Sequence, residues 1–305
     1  MHQESDFKID NQRSSGVANH LKYLVLDLFS SFRIRAFRLH IIIYIFSFTA
    51  MDVFGSVFTY YVVYCLSQDA AAVSGWLSIA AFASVPGTYG FMLLLNRLNI
   101  TPSAALRLSY GCIFAVLVFL FTVYLTKTQV PTLLFSGVFI LLGAARSGLY
   151  YIPWNIYSFI PDIDEIVTQQ RREGIFAGVM VLTRKSTVAI AIMIIGLVLQ
   201  ESGFVKGSGA QPESALGAII GLLIFATAAL LAVSFFTTYK FKLTRETHKL
   251  LLKEIARRKL GGDYRDCDAN TRVVIKQLTG YEYDKVWGGD ATRRAAGNAS
   301  LSAVK

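Results

Sequence analysis

Four ionisable residues interrupt long apolar stretches of this 305-residue sequence: Asp52, Arg146, Arg184 and Lys185. Each stretch is long enough to cross a bilayer as a helix. A charged side chain at the centre of a membrane helix costs at least about 2.5 kcal/mol on insertion scales, so such groups normally pair, face a bundle interior or line a wet pathway. These four residues therefore indicate a site for a polar solute or an ion.

Lys185 and Asp52 are the first candidates for substrate binding or ion coupling. Lys185 follows Gly174 by eleven residues, which is about 16 Å of helix and close to the middle of a membrane. The alternative is a structural ion pair between Lys185 and Asp52, and Asp52 could also pair with Arg146 or carry a proton or cation. Arg184 points about 100° away from Lys185 around the helix. It is a further substrate candidate, although bracing of a neighbouring helix is favoured, and Arg146 lies among small residues that suit a structural, helix-bridging role.

Aromatic side chains cluster where the stretch that holds Arg146 ends: Tyr150, Tyr151, Trp154 and Tyr157. The axial hydrogens of a sugar ring form an apolar patch that can stack on such rings. We expect Trp154 and Tyr151 to contribute to a substrate site. The alternative is an aromatic belt at the membrane interface, which is favoured for Tyr157.

A short charged segment, PDIDEIVTQQRREG, follows these aromatic residues. Its acidic half can exchange salt-bridge partners with its basic half. Exposed pairs contribute only about 0–1 kcal/mol each, so they can break and re-form as a gate opens and closes. The sequence thus predicts a cytoplasmic gate, with a solvated charged loop as the alternative; its residues are Asp162, Asp164, Glu165, Arg171, Arg172 and Glu173.

The elements that position these residues are membrane helices. Hydrophobic residues make up 54% of the sequence and charged residues only 16%, and the mean hydropathy is +0.48. Soluble domains carry about a quarter charged residues. The sequence predicts an all-α membrane protein with six transmembrane spans, at about 39–66, 70–95, 108–125, 131–160, 174–199 and 215–239.

The distribution of positive charge predicts the orientation. Twenty-five Lys and Arg residues lie on one side of the six spans and two on the other, which places both termini in the cytoplasm and the chain in the inner (plasma) membrane. This bias accounts for the net charge of +10 without a nucleic-acid partner. Residues 1–38 are expected to form a cytoplasmic segment with an amphipathic helix, 39–239 the membrane domain, and 240–305 a cytoplasmic tail that is helical to about 260 and then mobile.

The apolar stretches argue against an enzyme. They contain no paired catalytic carboxylates and no glycine loop that could hold a phosphate. The three cysteines are far apart and lack metal-ligand spacing. We therefore predict no catalytic residue, no metal site and no cofactor, apart from a possible coupling ion, Na⁺ or H⁺.

The segment from Asp162 to Phe204, D-I-D-E…R-R-E-G-I-F…T-R-K…G-L-V-L-Q-E-S-G-F, resembles the tenth-to-eleventh-helix region of a known transporter family. That family is the glycoside–pentoside–hexuronide:cation symporters, the melibiose permease-like branch of the major facilitator superfamily. Other stretches resemble it in the same order: F-R-I-R-A-F-R, Y-Y-V-V-Y-C-L-S, S-V-P-G-T-Y-G-F-M-L-L-L-N-R-L and Y-K-F-K-L-T-R-E-T-H. The resemblance covers about residues 30 to 260.

The resemblance implies roles for particular residues. Lys185 falls on a lysine of the family's central cavity, Trp154 close to a tenth-helix tryptophan, and Asp162, Glu165 and Arg171 on the charged network of the inner gate. Asp52 has no counterpart.

The resemblance covers only the second six-helix half of the family. It implies a half transporter for a sugar or sugar acid with Na⁺ or H⁺, working by alternating access with a complementary half or a second copy. The alternative is a non-transporting remnant or membrane scaffold.

Overall fold

A computed structural model describes residues 30–128 and 130–287. Within them the chain forms ten α-helices, and π-helical turns at Tyr61–Cys65 and Gly221–Ala226 extend the first and join the seventh to the eighth. The helices are α1 Arg35–Tyr60, α2 Ala70–Asn96, α3 Pro102–Thr126, α4 Thr132–Tyr157, α5 Ile160–Thr168, α6 Glu173–Glu201, α7 Glu213–Ile220, α8 Thr227–Lys240, α9 Arg245–Lys259 and α10 Ala269–Thr279.

Among the described residues, six helical segments are long and apolar enough to span a membrane, which confirms the predicted all-α membrane fold. Their bounds are Arg35–Cys65, Ala71–Asn96, Pro102–Thr126, Thr132–Thr168, Glu173–Glu201 and Glu213–Lys240. The third begins six residues before the predicted start because Thr101 caps α3. Its hydroxyl accepts a hydrogen bond from the Ala104 amide, and Pro102 occupies the first turn, where its missing N–H costs nothing.

The chain divides into two compact units. The span unit comprises Leu39–Phe159 and Leu182–Leu250. The tail unit comprises Met1–Arg38, Ile160–Val181 and Leu251–Lys305, of which the structure describes 30–38, 160–181 and 251–287.

The core of the span unit depends on close contact between α2 and α4, the most extensive contact between two helices. Glycines permit it: a Cβ on Gly143 would overlap the Ala80 backbone, and one on Gly87 would lie 2.7 Å from Ala144 Cα. Small residues at such crossings let backbones approach in membranes. By contrast, only 11% of the most apolar window of α2 and of α6 is buried. Few residues in these two windows are therefore fully buried.

In the tail unit, α10 packs against α5. The contributing side chains are apolar and buried: Ile163 and Ile166 on α5, and Val274, Ile275 and Leu278 on α10. The sequence predicts a tail that is helical to about 260, and α9 ends at Lys259; it does not predict α10.

Most of the amphipathic helix predicted before span one, including Leu21, Leu24 and Leu28, lies outside the described residues.

Candidate functional site

One face of α1 in the span unit presents Tyr44, Phe48 and Asp52. A spacing of four residues places the three side chains on the same side of a helix. The rings of Tyr44 and Phe48 are buried and their centroids are 4.5 Å apart. Asp52 is one turn further along this face and is partly exposed.

Asp52 forms a two-point ion pair with Arg184 of α6. The Nη1–Oδ2 distance is 2.5 Å and the Nη2–Oδ1 distance 2.8 Å. The Arg184 guanidinium also lies over the Phe48 ring, 5.2 Å from its centroid. Such parallel charge-assisted bonds are among the stronger side-chain interactions in proteins.

The partner of Asp52 is thus neither of the two that the sequence analysis weighed, Lys185 and Arg146. Lys185 follows Arg184 on α6, and a rotation of about 100° per residue directs it elsewhere. Arg146 donates a hydrogen bond of 3.1 Å to the hydroxyl of Tyr150, one turn along its own helix, and lies over the same ring. Through this pair Arg184 connects α6 to α1.

Helix α4 adds two aromatic rings to this face. The Tyr150 ring meets Phe48 edge to face at 4.6 Å, and the Trp154 ring meets Tyr44 edge to face at 5.9 Å. We call Tyr44, Phe48, Tyr150 and Trp154 the aromatic face. Trp154 is 44% exposed, so it can offer ring surface to a solute, while Tyr151 is half-buried and outside these ring contacts.

Lys185 is exposed on α6. No carboxylate in the described part of the chain forms an ion pair with it. The two neighbouring cations therefore differ in their environment. Asp52 neutralises Arg184, whereas the Lys185 side chain is exposed.

The predicted gate residues lie in the tail unit, where they form several ion pairs. Asp164 is fully buried and accepts two hydrogen bonds of 2.8 Å from Arg172, which also donates to the Ser30 hydroxyl at 3.0 Å. Arg171 lies 3.5 Å from Asp162 and 2.6 Å from Glu173. The acidic half of the segment thus pairs with its basic half.

Glu165 has a partner that the sequence analysis did not identify. Its carboxylate lies 2.6 Å from Nζ of Lys259, at the end of α9. We call these seven residues the α5 charge network: Asp162, Asp164, Glu165, Arg171, Arg172, Glu173 and Lys259. Helical spacing of apolar residues makes α9 recognisable in the sequence. Nothing in the local sequence predicts that its last residue, Lys259, contacts Glu165 of α5.

A cavity of about 980 Å³ in the span unit is a second feature that sequence reasoning missed. Its lining includes Trp76 of α2, Tyr124 and Lys127 at the end of α3, and Glu213 at the start of α7. Within 30–128 and 130–287, no group of three or more His, Cys, Asp or Glu side chains could hold a metal ion.

Comparisons with known proteins identify a family and a relative of this chain. A family model described as MFS/sugar transport protein matches residues 12–245. The chain is also 32% identical over 222 residues to an uncharacterized symporter of Synechocystis sp.. The matched region is 70% of this chain but only 39% of that symporter, so the chain spans well under half of its relative.

Proposed function

Because the chain belongs to the MFS/sugar transport protein family, we propose that it is one six-helix half of a melibiose permease-like symporter. It moves a sugar or sugar acid together with Na⁺ or H⁺ by alternating access. The observation that carries this proposal is the convergence of α1, α4 and α6 on an exposed tryptophan and a partly exposed ion pair within membrane-length helices.

The chemistry of this face suits a sugar. Trp154 supplies a ring on which a pyranose can stack, and Asp52 and Arg184 supply an acceptor and donors for hydroxyl groups. Their side chains are 21% and 22% exposed, so water or a solute reaches them. Lys185 and Tyr151 are assigned to the same substrate pathway, with Lys185 as a cation for an anionic or hydroxyl-rich solute.

A complementary six-helix half is the partner that we propose. Superfamily transporters bind substrate between two halves near the middle of the membrane. The matched relative is more than twice as long as the region it shares with this chain. In addition, only 11% of the most apolar window of α2 and of α6 is buried, and both helices carry exposed apolar side chains. A second copy of this chain is the competing occupant of that surface.

The α5 charge network is assigned to the inner gate. Arg171 is about half exposed, so its pairs with Asp162 and Glu173 can exchange at small cost. We propose that it lies, with both termini, at the cytoplasmic face of the inner membrane, and the excess of positive charge on this side of the spans supports that orientation.

The test is uptake of a labelled disaccharide and a labelled hexuronate by proteoliposomes that contain this chain with a first six-helix half. Sodium and proton gradients are imposed separately, which identifies the coupling ion. We expect Lys185→Ala and Trp154→Ala to lower uptake at least about tenfold, since each removes a group that faces the solute. Lys206→Ala, an exposed lysine outside the spans, is the matched control.

Two results would contradict the proposal. Uptake that is absent with either gradient, in membranes where both chains are inserted, would favour a non-transporting remnant or scaffold. Uptake by this chain alone, at the same rate, would show that no complementary half is needed and would favour a second copy as the partner.

A further inference from the structure

The end of α5 is held by a residue more than a hundred positions later in the chain. The backbone N–H of Trp287 donates a hydrogen bond of 2.8 Å to the carbonyl of Ile166. The Gln169 side-chain amide donates to the carbonyl of Trp287 at 2.9 Å. The last carbonyls of a helix have no partner within it, so Trp287 acts as a cap supplied from outside.

A second attachment lies near the middle of α5. Glu165 is only 8% exposed, and a carboxylate with so little access to water is destabilising unless a cation or hydrogen-bond donors satisfy it. Lys259 provides the cation at 2.6 Å. Helix α5 is thus attached to the tail at two points, one on each side of α10 in the sequence.

Side-chain hydrogen bonds also hold together the segment between these two attachments. Arg257 donates two hydrogen bonds, of 2.9 and 2.8 Å, to the carboxylate of Glu254, and the Tyr283 hydroxyl donates to the same carboxylate. These contacts connect α9 to the turn that precedes Trp287. Asp268 caps the start of α10, where its side chain accepts a bond from the Thr271 amide.

We propose that tail residues 251–287 position α5, and that Lys259 and Trp287 are the residues that do so. By fixing α5, the tail sets where Asp162 and Asp164 meet Arg171 and Arg172. Release of the tail would free Glu165 and loosen the carboxylates of the α5 charge network. The claim that the position of α5 affects the inner gate rests on the proposed function. The claim that the tail positions α5 does not.

The test uses the full chain in nanodiscs and measures hydrogen exchange of the α5 amides, residues 160–168. Lys259→Met is expected to speed this exchange about fivefold, as loss of a partly exposed ion pair would. Lys259→Arg keeps the charge and is expected to restore slow exchange, as is the charge exchange of Lys259→Glu with Glu165→Lys. The matched control is Lys276→Met, which removes a pair with Glu282 inside the tail.

A variant at the Trp287 attachment makes the test independent of any one side chain. Gln169→Met removes the amide that binds the Trp287 carbonyl, and it is expected to add to the effect of Lys259→Met. Unchanged α5 exchange in both variants, or an equal increase in Lys276→Met, would overturn the positioning role.

Uptake measured in the same variants separates the two claims. Where wild-type proteoliposomes transport sugar, Lys259→Met is expected to change the uptake rate, and Lys259→Arg to restore it. Faster α5 exchange with normal uptake in Lys259→Met would refute the link to gating and leave transport standing. Faster exchange with no wild-type uptake would instead refute the proposed function and leave the positioning role in place.

Discussion

The ion pair between Asp52 and Arg184 gives the sharpest quantitative prediction. Arg184→Met removes both hydrogen bonds, which are 2.5 and 2.8 Å long, and leaves the Asp52 carboxylate without its cation. Loss of one partner of a fully buried pair costs about 3–5 kcal/mol. Both side chains retain about a fifth of their exposure, which allows water to offset part of that cost. We therefore expect a loss of about 2–3 kcal/mol in the free energy of unfolding.

The assay is a double-mutant cycle of Asp52→Asn and Arg184→Met. Unfolding is followed by circular dichroism in mixed micelles under conditions where it is reversible. Because the two side chains interact directly, the double variant should be more stable than the sum of the single losses predicts, by about 1.5–3 kcal/mol.

The matched control is Lys185→Met, one residue further along α6. Lys185 is exposed and pairs with no described carboxylate, so the change should alter stability by less than about 0.5 kcal/mol. A coupling energy near zero, or a loss in Lys185→Met as large as that in Arg184→Met, would refute the assignment of Arg184 as the partner of Asp52.

Two further predictions concern the core and the tail. Gly143→Ala would drive a methyl group into the backbone of a neighbouring helix and should cost at least about 1–3 kcal/mol in thermal unfolding, whereas Gly137→Ala, which meets nothing within 4 Å, should be neutral or stabilising. Burial alone would raise the pKa of Glu254, but hydrogen bonds from Arg257 and Tyr283 outweigh it and hold the pKa below its ordinary value of 4.5; the stability from this lowered pKa is present above pH 4.5 and is lost as the pH falls. Protection factors of the tail amides should therefore fall on acidification below that pH, and Glu254→Gln should abolish this dependence; a wild-type tail with the same protection on both sides of pH 4.5 would contradict it.

The spans could be predicted from the sequence because membrane insertion depends on local composition. A run of about 20 apolar residues is recognisable whatever surrounds it, and the six predicted spans correspond to the six observed ones. Helix α10 was missed for the opposite reason. Its apolar face is only Val274, Ile275 and Leu278, which is too short a pattern to separate from a polar tail until packing on α5 gives it a partner.

The ionisable residues were found from the sequence, but their partners were not. The free-energy cost of a charged side chain inside the membrane is enough to single out Asp52, Arg184 and Lys185, without any knowledge of the fold. The choice between the two cations depends on the rotation of α6 relative to α1, which no local pattern encodes. In the α5 charge network the same limit applies to Lys259, since its partner Glu165 is 94 residues earlier.

The separation of Arg184 from Lys185 bears directly on the partner half. An ammonium within a membrane-length helix is stable only where water, an anion or a carboxylate meets it. Asp52 is already occupied by Arg184, and the described chain offers Lys185 no ion pair. The compensating group therefore has to come from outside the described residues, and we expect a second set of helices, the solute or water between them to supply it. We expect Lys185 to become inaccessible to amine-modifying reagents when the complementary half binds, and to remain fully reactive if that half does not cover α6.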